Sequence, residues 1–168
     1  MITIQVDNAA ALAALEQINV GTIQSRLGSA VRRTIQAGKS EARARIIARY
    51  TAKNPLSLGK VSTKIGGLRG SLTFGGRRNQ LKKFNINPRR RINPAPAGGV
   101  FAQVVKGQGG SLSHAFLMKS GNVFERVGRE RFPIKSIKTI ALSGMAKAVA
   151  AQVVRKMDSE LERSLQGI

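Results

Sequence analysis

Apolar positions repeat at helical spacing near both ends of the chain and at strand-like spacing between them. Ile2, Ile4 and Val6 alternate with Thr3 and Gln5, which predicts a short strand, and Asp7-Asn8 predicts a cap before an Ala-rich helix over Ala9–Ile18. Asn19 to Gly21 reads as a break. From Thr22 onward, Ile23, Leu27, Val31, Ile35, Ala42, Ile46 and Tyr50 fall on one side of a long amphipathic helix, with Arg26, Arg33, Lys39, Arg43, Arg45 and Arg49 mostly on the others. Gly28 and Gly38 are its candidate bends. Lys53-Asn54-Pro55 ends it, because proline neither continues a helix nor lets its predecessor stay helical.

The middle of the chain loses that period. Short strands are expected at Leu68–Phe74, Leu81–Ile86, Val100–Lys106, Leu112–Met118 and Val123–Val127, separated by Gly and Pro. Residues 75–99 hold three basic clusters and three prolines, which predicts an extended basic loop or arm, the part of the chain most prone to motion. Ser143 then stands as a cap for a last helix over 143–166, whose Met145, Val149, Val153, Met157, Leu161 and Leu165 repeat every four residues. The expected fold is a single α+β domain over 1–168. A long N-terminal amphipathic helix and a C-terminal helix pack on a small, mostly antiparallel sheet, with 51–134 as the basic strand and loop region. At 168 residues and 42% apolar content, the chain is long enough and apolar enough to bury a core.

Charge changes the picture most. Between Glu41 and Glu125 lie 83 positions without one acidic residue and with 16 Lys and Arg, so this stretch carries +16 of the net +21. Self-repulsion of that size opposes compaction, and a chain that keeps it is expected to meet a polyanion, nucleic acid first. Arg77, Arg78, Lys82, Lys83, Arg89, Arg90 and Arg91 are the candidate phosphate contacts, binding without reading sequence and weakening with salt. Only Phe84 interleaves with them, so a multi-aromatic stacking platform is not expected, and no helix-turn-helix or zinc-finger pattern is visible. The competing readings of the basic run are a solvated charged loop and a contact for an acidic protein neighbour.

Catalytic chemistry finds little support. His114 is the one histidine, with no acid within 10 residues on either side, and its structural reading is preferred to a catalytic one. Carboxylates other than Asp7, Glu16, Glu41, Glu125 and Glu130 sit in the cluster Asp158, Glu160 and Glu162, which reads as a solvated helix face. No spacing suits a metal, and no cysteine supplies a thiolate or a disulfide. The glycine run from Gly66 to Gly76 lacks the Gly-Lys-Ser/Thr ending of a phosphate loop and reads as hairpin ends. No enzyme, cofactor or metal is expected. No apolar run approaches the ~20 residues of a membrane span, and Met1–Asp7 lacks the features of a signal peptide, so a soluble, non-exported chain is expected.

Residues 114–134 carry a further signal. Ala115-Phe116, the Ser120-Gly121 turn, Val123-Phe124 with Arg126, and Gly128 with Pro133-Ile134 resemble the pattern of the minor tail protein Z family of tailed bacteriophages, the tail completion proteins. Asn122 departs from that pattern, in which many members place a His after the turn. The layout of the rest is similar, from the N-terminal strand and the helix ending in Arg49-Tyr50 to the basic middle and the amphipathic last helix. Read from its residues alone, the block is a hairpin with Phe116, Met118, Val123 and Phe124 toward the core, Ser120-Gly121-Asn122 as the turn, and Arg126, Arg129 and Arg131 exposed. Pro133 is expected to end its strand.

The resemblance implies a non-catalytic virion protein at the head-tail junction, assembled in the host cytoplasm. It also implies a homo-oligomeric ring, commonly of six or twelve subunits, that completes the tail, aids head-tail joining and positions genome DNA for ejection. Its partners would be neighbouring neck, tail tube or terminator proteins and genomic double-stranded DNA in the lumen, with no membrane. The alternative from composition alone is a free, sequence-independent nucleic-acid-binding protein of ribosomal or nucleoid-like kind.

Overall fold

The computed structural model describes residues 20–66, 69–93, 97–128 and 133–166. The expected strand Ile2–Val6 and helix Ala9–Ile18 lie outside the described residues, as do Arg129 and Arg131. The chain folds as α+β. Helix α1 (Val20–Arg49) is followed by eight strands, β1 (Lys60–Gly66), β2 (Arg69–Gly75), β3 (Asn85–Asn87), β4 (Val100–Val105), β5 (Gln108–Leu112), β6 (Ala115–Leu117), β7 (Val123–Arg126) and β8 (Ile134–Ser136). Helices α2 (Leu142–Lys147) and α3 (Ala150–Leu165) close it. The strands make three small antiparallel sheets, a β1-β2 hairpin, a β3-β4-β5 sheet and a β6-β7-β8 meander.

Helix α1 forms as the spacing predicts but begins at Val20, inside the expected break at Asn19–Gly21, and runs unbroken for 30 residues, about 45 Å at 1.5 Å per residue. Ile35, Ala42 and Ile46 are almost wholly buried. Gly38 has a packing reason, since a Cβ there would come within 2.5 Å of Met157 Sδ, so its bare backbone lets α3 cross close by. The main core joins Ala42 and Ile46 of this helix, and Tyr50 just past its end, to Leu142 and Met145 of α2 and to Val149 and Val153. A second core, of Leu81, Ile86, Val100, Ala115, Leu117 and Val123, lies between the two three-stranded sheets.

Several expectations change. The segment 75–99 is not an extended arm throughout, because Leu81, Phe84 and Ile86 are buried. A 3₁₀ turn over Leu81–Lys83 replaces the start of the expected Leu81–Ile86 strand. With three residues per turn, Leu81 and Phe84 share its inner face, one entering each core, while Lys82 and Lys83 stay in water. Buried Asn79 anchors this turn. Its carbonyl accepts from Thr139 N at 2.6 Å, and its side-chain amide donates to the Ile140 carbonyl at 3.3 Å.

The expected strand Leu112–Met118 is divided by a turn at Ser113-His114 into the ends of β5 and β6. Ser143 lies inside α2, whose N-cap is Ala141, and a turn at Ala148-Val149 separates α2 from α3. The four-residue apolar repeat survives that turn, and so the sequence reads as one helix. Strands β1 and β8 had no predicted counterpart and β5 had one only at Leu112, and Pro133 precedes a strand instead of ending one.

Candidate nucleic-acid interface

All sixteen bases of the acid-free stretch are exposed. Among the described residues the one ion pair is Arg45–Glu41, at 2.6 Å, on the outside of α1. Apart from Arg45, which that pair neutralises, the stretch presents its charge to solvent without an ion-pair partner among the described residues.

Part of that charge converges. An open cleft of about 980 Å³ is rimmed by Lys53, Lys82, Lys83, Arg89 and Lys106, with buried Ala52, Leu58, Phe84 and Ile86 beneath and Asn54, Ser57, Asn85 and Gln103 between. No acidic residue lines it. Five like charges around one opening repel each other, and an anion that enters relieves the repulsion; the attraction weakens as salt screens it.

Local structure explains how distant bases meet. Helix α1 ends against β4, where Thr51 N donates to the Val104 carbonyl at 3.0 Å and Lys106 N donates to the Arg49 carbonyl at 2.9 Å. The β4–β5 pairing slips between Gln103 and Val105, an irregularity that leaves the Val104 carbonyl for Thr51. Thr51 Oγ1 donates to the Gln103 carbonyl at 2.5 Å and accepts from Asn85 N at 3.1 Å. One hydroxyl thus ties the helix end, β4 and β3 together beneath the cleft, and a part-buried Asn85 N–H stays paired. Lys53 follows from that tie, just past the helix, and Lys106 from the β4–β5 turn at Gly107, whose φ of +77° suits glycine. Lys82 Nζ donates to the Ser120 carbonyl at 3.3 Å and Lys83 Nζ to Asn79 Oδ1 at 3.1 Å.

Of the seven predicted contacts, Lys82, Lys83 and Arg89 line this cleft. Arg77, Arg78, Arg90 and Arg91 are exposed but do not line it. Lys53 and Lys106 were not among the seven; their only sequence signal was membership of the acid-free stretch.

The 114–134 block forms the β6-β7-β8 meander. Gly121, at φ +73°, makes the turn, with its N–H donating to the Met118 carbonyl at 2.8 Å and Met118 N donating to the Asn122 carbonyl at 3.0 Å. The hairpin and the burial of Val123 are as expected, but Phe116, Met118 and Phe124 do not enter the core. Ala115, Leu117 and Val123 enter the core, while Met118 is 39% exposed and Phe116 pairs with Phe124 on the other face. Arg126 lies 5.8 Å from the Phe116 ring centroid, a cation–π contact, and opposite Ile134, the residue after Pro133. Val127 N donates to the Pro133 carbonyl at 3.1 Å, and Val127 and Gly128 are exposed. These residues shape a sheet and present no reactive constellation.

Among the described residues no group of three or more His, Cys, Asp or Glu is placed to hold a metal, and no helix is long and apolar enough to cross a membrane. No protein-family model, curated protein or solved structure matches the chain.

Proposed function

We propose that this chain is a non-catalytic structural subunit that contacts the phosphate backbone of genome DNA at the head-tail neck, or head-proximal tail end, of a tailed bacteriophage. One observation carries the DNA contact: five exposed bases from separate chain segments converge on one acid-free cleft. Phosphates are the abundant anions that such a cleft fits, and a contact made to the backbone carries no sequence information. The neck location rests on the resemblance of residues 114–134 to the tail completion proteins. In a closed ring of identical subunits, each copy would bring one cleft to the central DNA, and repetition would multiply contacts that are weak singly.

The alternative, a free nucleic-acid-binding protein, uses the same cleft without a ring. It predicts that the isolated monomer binds tightly, whereas a neck subunit gains most of its affinity on assembly. Labelling phage particles with an antibody fragment against this chain, followed by electron microscopy, separates the two. The neck reading expects label at the head-tail junction and a loss of DNA retention and infectivity when Lys82, Lys83 and Arg89, which line the cleft, are changed to Glu. Unlabelled particles, or fully infectious triple variants, would count against it.

A further inference from the structure

The β1–β2 hairpin has two faces of opposite character. Its strands pair from Lys60↔Gly75 to Gly66↔Arg69, so alternate pairs share a face. Val61, Phe74 and Leu72 lie on the face turned to the protein. Gly70 belongs to it too, close enough to α1 that a Cβ there would come within 2.8 Å of Val31 and 2.9 Å of Ile35. The other face carries Lys60, Ser62 and Lys64 on β1 with Arg69, Ser71 and Thr73 on β2. All but the half-buried Ser62 are exposed, and no acidic side chain is among them.

We propose that this outward face is a second phosphate-contact surface for duplex DNA, separate from the cleft. The inference rests on the reading of the chain as a DNA-contacting protein. Three features point to a phosphate backbone. Each cation has little opposite it across the ladder, since Lys60 faces Gly75, Arg69 faces Gly66 and Lys64 faces Ser71, so a phosphate oxygen can approach without displacing a bulky side chain. The hydroxyls of Ser62, Ser71 and Thr73 lie between the cations and supply neutral donors of the kind that phosphates accept from. Finally, at about 3.3 Å per residue the cations span roughly 20 Å of ribbon, from Lys60 through Lys64 to Arg69, long enough to follow several phosphates. A strand face made only for solvation has no need to exclude acids, which would pair across the ladder with these bases.

The test compares K60Q/K64Q/R69Q with a cleft variant, K82Q/K83Q/R89Q, in fluorescence-anisotropy titrations of a duplex, with thermal melts confirming that each is folded. Removing three phosphate contacts makes the dependence of log affinity on log salt less steep by about 2.7. The gap between wild type and the ribbon variant then narrows about 40-fold from roughly 50 to 200 mM salt. If the ribbon variant matches wild type in affinity and slope while the cleft variant falls, the ribbon inference is overturned and the cleft reading stands. If neither variant changes, both fall. Acetylation mapped by mass spectrometry gives a readout on the unaltered chain. Duplex should protect Lys60 and Lys64, and undiminished modification of both would also overturn the inference.

Discussion

Reversing the charge of Lys82, Lys83 and Arg89 together is expected to lower duplex DNA affinity by at least about a hundredfold at low salt. Five bases line the cleft. If each neutralises one phosphate, log affinity falls with log salt at a slope of about −4.5 from the cleft alone, so wild-type binding drops roughly 500-fold between about 50 and 200 mM salt. The triple Glu variant removes three of those contacts and sets three carboxylates against the remaining two bases. Its expected slope is close to flat apart from contacts outside the cleft. The side chains are exposed, and their replacement reduces the net positive charge, so the folded state should persist in far-UV circular dichroism. Affinity and slope equal to wild type would remove the cleft from DNA binding.

The largest stability effect is expected from Ile46→Ala. Ile46 is fully buried where α1 meets Leu142 and Met145, and truncation leaves a cavity that neighbours fill only in part. Such changes cost about 2–5 kcal/mol, and for a chain of this length each kcal/mol lowers Tm by roughly 2–4 °C. A fall on the order of 4–20 °C in a thermal melt is therefore expected, against little change for Ile47→Ala one position along, where the side chain is only half-buried. Equal effects at the two positions would mean that α1 docks on a different face.

Helix α1 was legible because its buried positions repeat over many turns, and Ile35, Ala42, Ile46 and Tyr50 fall where a 3.6-residue period puts them. The basic segment was misread for the converse reason. Leu81, Phe84 and Ile86 are three apolar residues scattered among bases and prolines, and the 3₁₀ turn that aligns the first two spans less than two turns, too short to impose a visible period. In the hairpin of residues 115–126, glycine and serine identified the turn, but side-chain size did not identify the buried face. Leu117 and small Ala115 fill the space between sheets, while Phe116 is covered by its pairing with Phe124 and by Arg126. Ser143 looked like a cap because Met145 and Val149 continue the spacing of α3 across a turn.

The candidate site was legible in charge and not in place. An acid-free stretch announces that charge will be displayed, whatever the fold. Which bases meet depends on where the end of α1 docks on β4 and where the chain turns at Gly107, and those contacts join Lys53 to Lys106 across 52 intervening residues. Adjacent arginines such as Arg77-Arg78 drew notice by clustering in sequence, yet they lie outside the cleft that Lys53 and Lys106 help to form.

The most direct measurement is a salt titration of wild-type binding to two duplexes of unrelated sequence. Phosphate contact through the cleft predicts the same affinity for both and a common slope of about −4.5, steepening toward about −7 as the β1–β2 ribbon adds its three bases. A slope near zero, or a strong preference for one sequence at every salt concentration, would contradict sequence-independent phosphate contact as the role of this surface.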